Sequence, residues 1–188
     1  MAVTVANLAL QMLGQAPISA LNENSKRAAA MDRCYEIIRQ GELERNFWTF
    51  AITRTTLAAL GTGPTWGRTY AFNLPPDYLR IANEDPSYPS IRTDRLIEGR
   101  QILTSDPGPL YLRYVRDFTN AALFHPLFKR GLACSMAIQT CEELTGSSGK
   151  LRDIAAQYDK FMSEARMVNA IEAGPEEPEE DSWITVRA

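Results

Sequence analysis

Asn46-Phe47-Trp48-Thr49-Phe50-Ala51 is where this chain changes period. Upstream, apolar residues recur at helical spacing; downstream follows a run rich in Thr, Ile and aromatics that reads as strand. Three aromatics where a helix meets a sheet predict a packed hinge between two layers, with Trp48 largely buried. The simpler reading of such a trio is an ordinary core cluster.

Working upstream, the spacing predicts a helix over 4–13, with Val5, Leu8, Ala9, Met12 and Leu13 on one stripe. Gly14 is suited to stop it, and Pro17 prevents its resumption. Ile18 and Leu21 anchor the loop that follows. Asn24 or Ser25 then caps a second helix running to about Arg45. Its stripe is Ala28, Met31, Tyr35 and Ile38, with Cys34 and Ile37 beside it. Lys26, Arg27, Arg33 and Arg39 fall on or near the opposite face and read as solvated.

Downstream, residues 47–60 read as a strand that ends at the turn Gly61-Thr62-Gly63-Pro64. Further strands are expected at 68–73, 78–83, 91–97, 100–104 and 110–116, with Glu98-Gly99 as a hairpin turn. Prolines at 75, 76, 86, 89, 107 and 109 favour short edge strands and loops over one large sheet. Leu112, Tyr114 and Arg116 alternate with Tyr111, Arg113 and Val115, so this strand can use both faces. A third helix starts at Pro126 and runs to about Leu144. It is apolar on two stripes, which predicts a central position. Gly146-Ser147-Ser148-Gly149 stops it and caps a fourth helix, whose stripe includes Leu151, Ile154, Tyr158, Phe161, Met162 and Ala165 and which ends near Gly174-Pro175. Residues 176–181 hold five carboxylates in six positions and lack the apolar area to fold alone. Trp183, Ile184 and Val186 follow as an apolar hook, so 175–188 reads as a flexible acidic docking arm.

The period changes therefore predict an α+β fold. A helical bundle of about four helices (1–46 and 117–174) carries a small antiparallel β region (47–116) inserted between helices two and three. With 188 residues, 45% hydrophobic and 23% charged, the chain has the composition of a soluble globular protein. The start Met1-Ala2-Val3-Thr4-Val5 shows no basic leader region, and no apolar run reaches the roughly 18 residues a membrane span needs. A net charge of −3 argues against gripping DNA phosphates over the whole surface, though not against DNA passing nearby.

A search for chemistry finds little. Cys34, Cys134 and Cys141 form no C-x-x-C pair, and His125 is the sole histidine, so the expectation is three buried structural thiols and no metal or other cofactor. A Cys/His protease reading fails because all three thiols fall on apolar helical positions, where a thiolate is disfavoured. His125, just before a proline at a helix start, is expected to cap or pack there. There is no phosphate-cradling glycine loop and no Gly-x-Ser-x-Gly elbow. An alternative reading is a glycan hydrolase with paired acids among Asp85, Asp94, Glu98 and Asp106. A free-standing regulatory domain is a third.

An ordered set of segments over about residues 4–172 resembles the tail tubular protein A and head–tail connector adaptor family of short-tailed bacteriophages. These are Leu-Gly-Gln-Ala-Pro-Ile (13–18), Lys26-Arg27-Ala28-Ala29, Trp48-Thr49-Phe50-Ala51, and Tyr70-Ala71-Phe72-Asn73-Leu74-Pro75-Pro76-Asp77-Tyr78-Leu79-Arg80. Leu110-Tyr111-Leu112-Arg113-Tyr114-Val115 and Phe124-His125-Pro126-Leu127-Phe128 complete the set. The resemblance implies a structural, non-enzymatic virion protein, made in the host cytoplasm and placed at the head–tail junction. It implies a ring, typically of twelve copies, beneath the portal, that extends the DNA channel and presents a surface to the next tail or nozzle component. Double-stranded DNA would pass without specific binding, and no membrane is involved. Partner contacts are expected at Trp183, Ile184 and Val186 of the arm and at Lys26 and Arg27 of the second helix.

Overall fold

The computed structural model describes residues 2–82 and 95–174. Among the described residues, two helices, six short strands and two further helices follow one another as the period changes predict: α1 (Ala2–Leu13), α2 (Lys26–Glu44), β1 (Ile52–Leu57), β2 (Tyr70–Asn73), β3 (Tyr78–Ile81), β4 (Arg95–Glu98), β5 (Gln101–Thr104), β6 (Leu110–Arg116), α3 (Pro126–Thr145) and α4 (Ser148–Ala173). The fold is mixed α+β, with the strands lying between α2 and α3 in the chain.

Helix boundaries follow their local chemistry. Gly14, at φ +69°, ends α1 in a conformation that costs a residue with a Cβ more. The Ser25 hydroxyl accepts from the Ala28 amide to cap α2, and the Ser147 hydroxyl accepts from the Lys150 amide to cap α4. His125 occupies the position before Pro126, makes no side-chain cap bond and is half-buried, so of its two expected roles it packs and does not cap. Asn7 does something its helical position does not advertise: its amide pairs with both the carbonyl and the amide of Ile18, pinning the α1–α2 loop.

α3 is the central helix. Phe128, Leu132, Ala133, Cys134, Met136, Ala137 and Cys141 are all buried, against α1, α2 and α4. α1 is more than an accessory: Ala6 and Leu10 are fully buried beside Val5, Ala9 and Leu13, while the expected stripe members Leu8 and Met12 are only partly so. Gly131 lets α4 approach closely, since a Cβ there would lie 2.1 Å from the Met162 sulfur.

The strands form two three-stranded antiparallel sheets, ordered β1-β6-β3 and β2-β5-β4. β6 serves two cores. Leu110, Leu112 and Tyr114 join Phe72, Leu74 and Ile102 in a small core of the β region, whereas Val115 belongs to the bundle core. A bulge between Tyr78 and Arg80 shifts the β3–β6 register. Past that bulge, Arg80 lies 3.9 Å from the Phe47 ring centroid and donates to the Glu44 carbonyl at the end of α2. The β4–β5 hairpin turns at Gly99, with φ +56°.

The hinge stretch is where the expected strand fails. Residues 49–51 form a 3-10 turn, and the strand runs only from Ile52 to Leu57 instead of 47–60. Tertiary packing overrides the β-rich composition here: Trp48 is 1% exposed, its indole N–H donates to the Glu42 carbonyl, and its ring meets Phe128 edge-on. Phe50 contacts Phe118, Phe124 and Phe128, and the Ala51 and Ile52 amides both donate to the Trp48 carbonyl, which closes the turn. One expectation on α2 also needs correction: Arg39 is buried, not solvated. Ile37, beside the apolar stripe, is exposed.

Candidate functional site

A groove runs between α2 and α3. Two adjoining hollows of about 270 and 400 Å³ share Ile37, Ile38 and Gln139 as lining. The first continues past Ala30, Arg33, Cys34, Thr140 and Glu143; the second past Gly41, Glu42, Arg45, Ser135, Ile138 and Tyr158. Ile37 stands 73% exposed on the rim. An isolated exposed isoleucine is ordinary, but this one borders a concave surface of mixed apolar and polar lining.

Charged pairs close both ends. Arg33 of α2 bridges Glu143 of α3 at 2.8 Å in an exposed pair, worth at most about 1 kcal/mol. At the other end Glu42 is buried, with both carboxylate oxygens within 3.0 Å of the Tyr158 hydroxyl and Arg45 at 3.5 Å. Arg45 also donates to that hydroxyl at 2.7 Å. Burial, then the adjacent Glu42 carboxylate, pushes the Tyr158 phenol above its ordinary pKa. The hydroxyl therefore stays protonated as a donor, and the cluster braces α2 against α4.

Gly41 forms part of the lining and has nothing within 4 Å of where a Cβ would stand. Glycine inside a helix costs about 1 kcal/mol relative to alanine. Among the described residues neither a turn nor a close neighbour accounts for it.

The expected partner-binding residues divide. Lys26 is exposed at the start of α2, where its ammonium donates to the Glu143 carbonyl at 3.0 Å. Arg27, beside it, is half-buried, and its Nε is buried without a partner. Lys26 therefore lies near the Arg33 end of the groove, with Arg27 the next residue along α2. Trp183, Ile184 and Val186 lie outside the described residues, as do Asp85 and Asp94. Of the other acids weighed for hydrolysis, Glu98 is exposed at the β4–β5 hairpin, and Asp106 accepts from the Gly108 amide within its own loop. Cys34, Cys134 and Cys141 are all buried, as expected. Burial raises the Cys34 and Cys134 thiols to about 11, so neither is a ready nucleophile at neutral pH.

The groove itself was not legible beforehand. The signal that could have found it is the pair Ile37 and Gly41, one turn apart, an apolar side chain next to an unfilled position. No helix among the described residues is long and apolar enough to cross a membrane, and no group of three or more potential metal-ligating side chains occurs among them. Comparison with known proteins finds no family model that matches this chain and no curated protein that matches it.

Proposed function

We propose that this chain is a structural head–tail adaptor of a short-tailed bacteriophage, assembling as a ring between the portal and the rest of the tail. The reading rests on the ordered segments that resemble the adaptor family. The structural observation that supports it best is that large apolar side chains stand exposed on two different elements. One is α2, with Ile37 at the rim of the α2/α3 groove; the other lies in the β region, where Trp66 is 87% exposed in the β1–β2 loop. A subunit with distinct sticky surfaces suits heterologous, side-by-side packing that closes into a ring, with the other surface left to meet a different partner. In this reading the helices contact neighbouring copies, the β region and loops meet the portal or the next tail component, and DNA passes through without specific contact. A modest negative charge suits such a channel, because clustered Lys and Arg would hold phosphates.

Electron cryomicroscopy of purified particles tests the reading. The expected result is a closed ring of copies of this chain directly beneath the portal. Particles in which the chain is absent from the head–tail junction would overturn it, and so would turnover of a glycan that vanishes with Glu98→Gln or Asp106→Asn.

A further inference from the structure

We propose that the α2/α3 groove is the receptor for residues 175–188 of a second copy of this chain. The apolar hook Trp183, Ile184 and Val186 would sit over Gly41, between Ile37 and Ile138. The carboxylates of 176–181 would lie over Lys26, Arg27 and Arg33. The proposal takes its biological setting from the ring reading, but its evidence is independent of any phage particle.

Gly41 supplies the first argument. On propensity alone almost any residue would serve better than glycine at position sixteen of the nineteen in α2, and the described residues leave the space beside Gly41 empty. An unfilled notch beside a 73% exposed isoleucine accommodates a large side chain arriving from elsewhere. Gln139 and Ser135 line the same hollow and offer acceptors for an indole N–H.

Length and charge decide the direction and the source. From Lys26 to Gly41 the helix rises about 22 Å. From Glu176 to Trp183 an extended chain covers about 23 Å. An arm running parallel to α2 therefore places acids on cations and hook in notch at the same time. It must arrive from the start of α2, where the helix dipole also favours negative charge. The subunit's own arm starts at the wrong end. Asn169 accepts from the Thr49 amide and donates to the Phe47 carbonyl, so the last turns of α4 lie beside the C-terminal end of α2. Reaching its own groove, the arm would first lay its carboxylates along Glu42 and Glu44, at the negative end of the dipole. A second copy avoids that repulsion.

The test is an NMR titration of the isotope-labelled full chain with an unlabelled peptide of residues 175–188. The expected result is saturable movement of the Ile37, Gly41 and Gln139 amides. Gly41→Gln in the protein, or Trp183→Ala in the peptide, should weaken binding at least tenfold. Lys26→Glu with Arg27→Glu should weaken it severalfold and flatten its salt dependence. Gly41→Gln adds a better helix former where no atom obstructs it, and an otherwise unchanged amide spectrum shows that it folds. No movement at the groove, movement confined to another surface such as the Trp66 loop, or equal binding to Gly41→Gln would overturn the proposal. So would groove amides that shift on deleting 175–188 at every dilution, which means docking within one chain. A peptide that binds purified portal and ignores this chain would also overturn it. Failure of the head–tail reading would leave the titration result untouched.

Discussion

Arg39 on α2 holds Asp117, the residue that follows β6, through both of its terminal nitrogens, at the point where the β region rejoins the bundle. Gln40 donates to the same carboxylate at 2.9 Å, and the Arg39 guanidinium also donates to the Phe118 carbonyl. One bidentate arginine thus fixes the exit of the insertion, while Trp48 fixes its entrance. The Arg39 side chain is 4% exposed, so removing either partner strands a charge in poorly solvated surroundings. Arg39→Ala should cost about 3 kcal/mol, the lower end for breaking a buried pair, because Asp117 keeps some access to water. Urea unfolding monitored by circular dichroism measures it.

The same pair predicts a pH dependence. Burial by itself raises the Asp117 carboxyl, but the hydrogen bonds from Arg39 and Gln40 and the arginine charge outweigh it and hold the pKa below the usual value. A folded-state pKa depressed in this way gives stability that is fully present above the unfolded value, near pH 4, and is lost as pH falls through the folded value. Asp117→Asn should therefore be less stable than the parent at pH 7, with the difference shrinking towards pH 2. A difference that stays constant over that range would contradict the assignment.

Trp48→Ala should destabilise the chain by about 3–5 kcal/mol, the range for emptying a large aromatic site. Trp48→Phe keeps most of the contact with Phe128 but loses the bond to the Glu42 carbonyl, for about 1 kcal/mol. Thermal melts of the two variants should rank in that order.

Two helix glycines should respond in opposite directions. Gly131→Ala drives a Cβ into the Met162 side chain and should cost about 1–3 kcal/mol through overpacking. Gly41→Ala meets no atom and should stabilise the isolated subunit by up to about 1 kcal/mol. Calorimetry on the pair is decisive, since the same chemical change is made twice.

The thiols should be silent in the native state. Cys34, Cys134 and Cys141 are buried, and the first and second are raised to about 11 by that burial. A chromogenic disulfide reagent at pH 8 should label all three only after denaturant is added. Rapid labelling of the folded chain would place a thiol at the surface.

Much of the architecture was readable from local chemistry. Helix limits at Ser25, Pro126, Gly146 and Ser147 follow from capping and backbone preferences that act within a few residues. The hairpin at Gly99 and the two-faced use of β6 follow from period and turn chemistry in the same way. The sequence by itself therefore determined the order and type of the elements, because those preferences are short-ranged and each is signalled where it acts. Only the tertiary structure decided what long-range partners impose. It made 49–51 a 3-10 turn, in which Trp48 and Phe50 both pack on Phe128 and the Ala51 and Ile52 amides donate to the Trp48 carbonyl. It buried Arg39 because Asp117, 78 residues away, supplies a matching carboxylate. It left Ile37 and the Gly41 notch uncovered, because a helical period marks which residues share a face and not which faces find a neighbour.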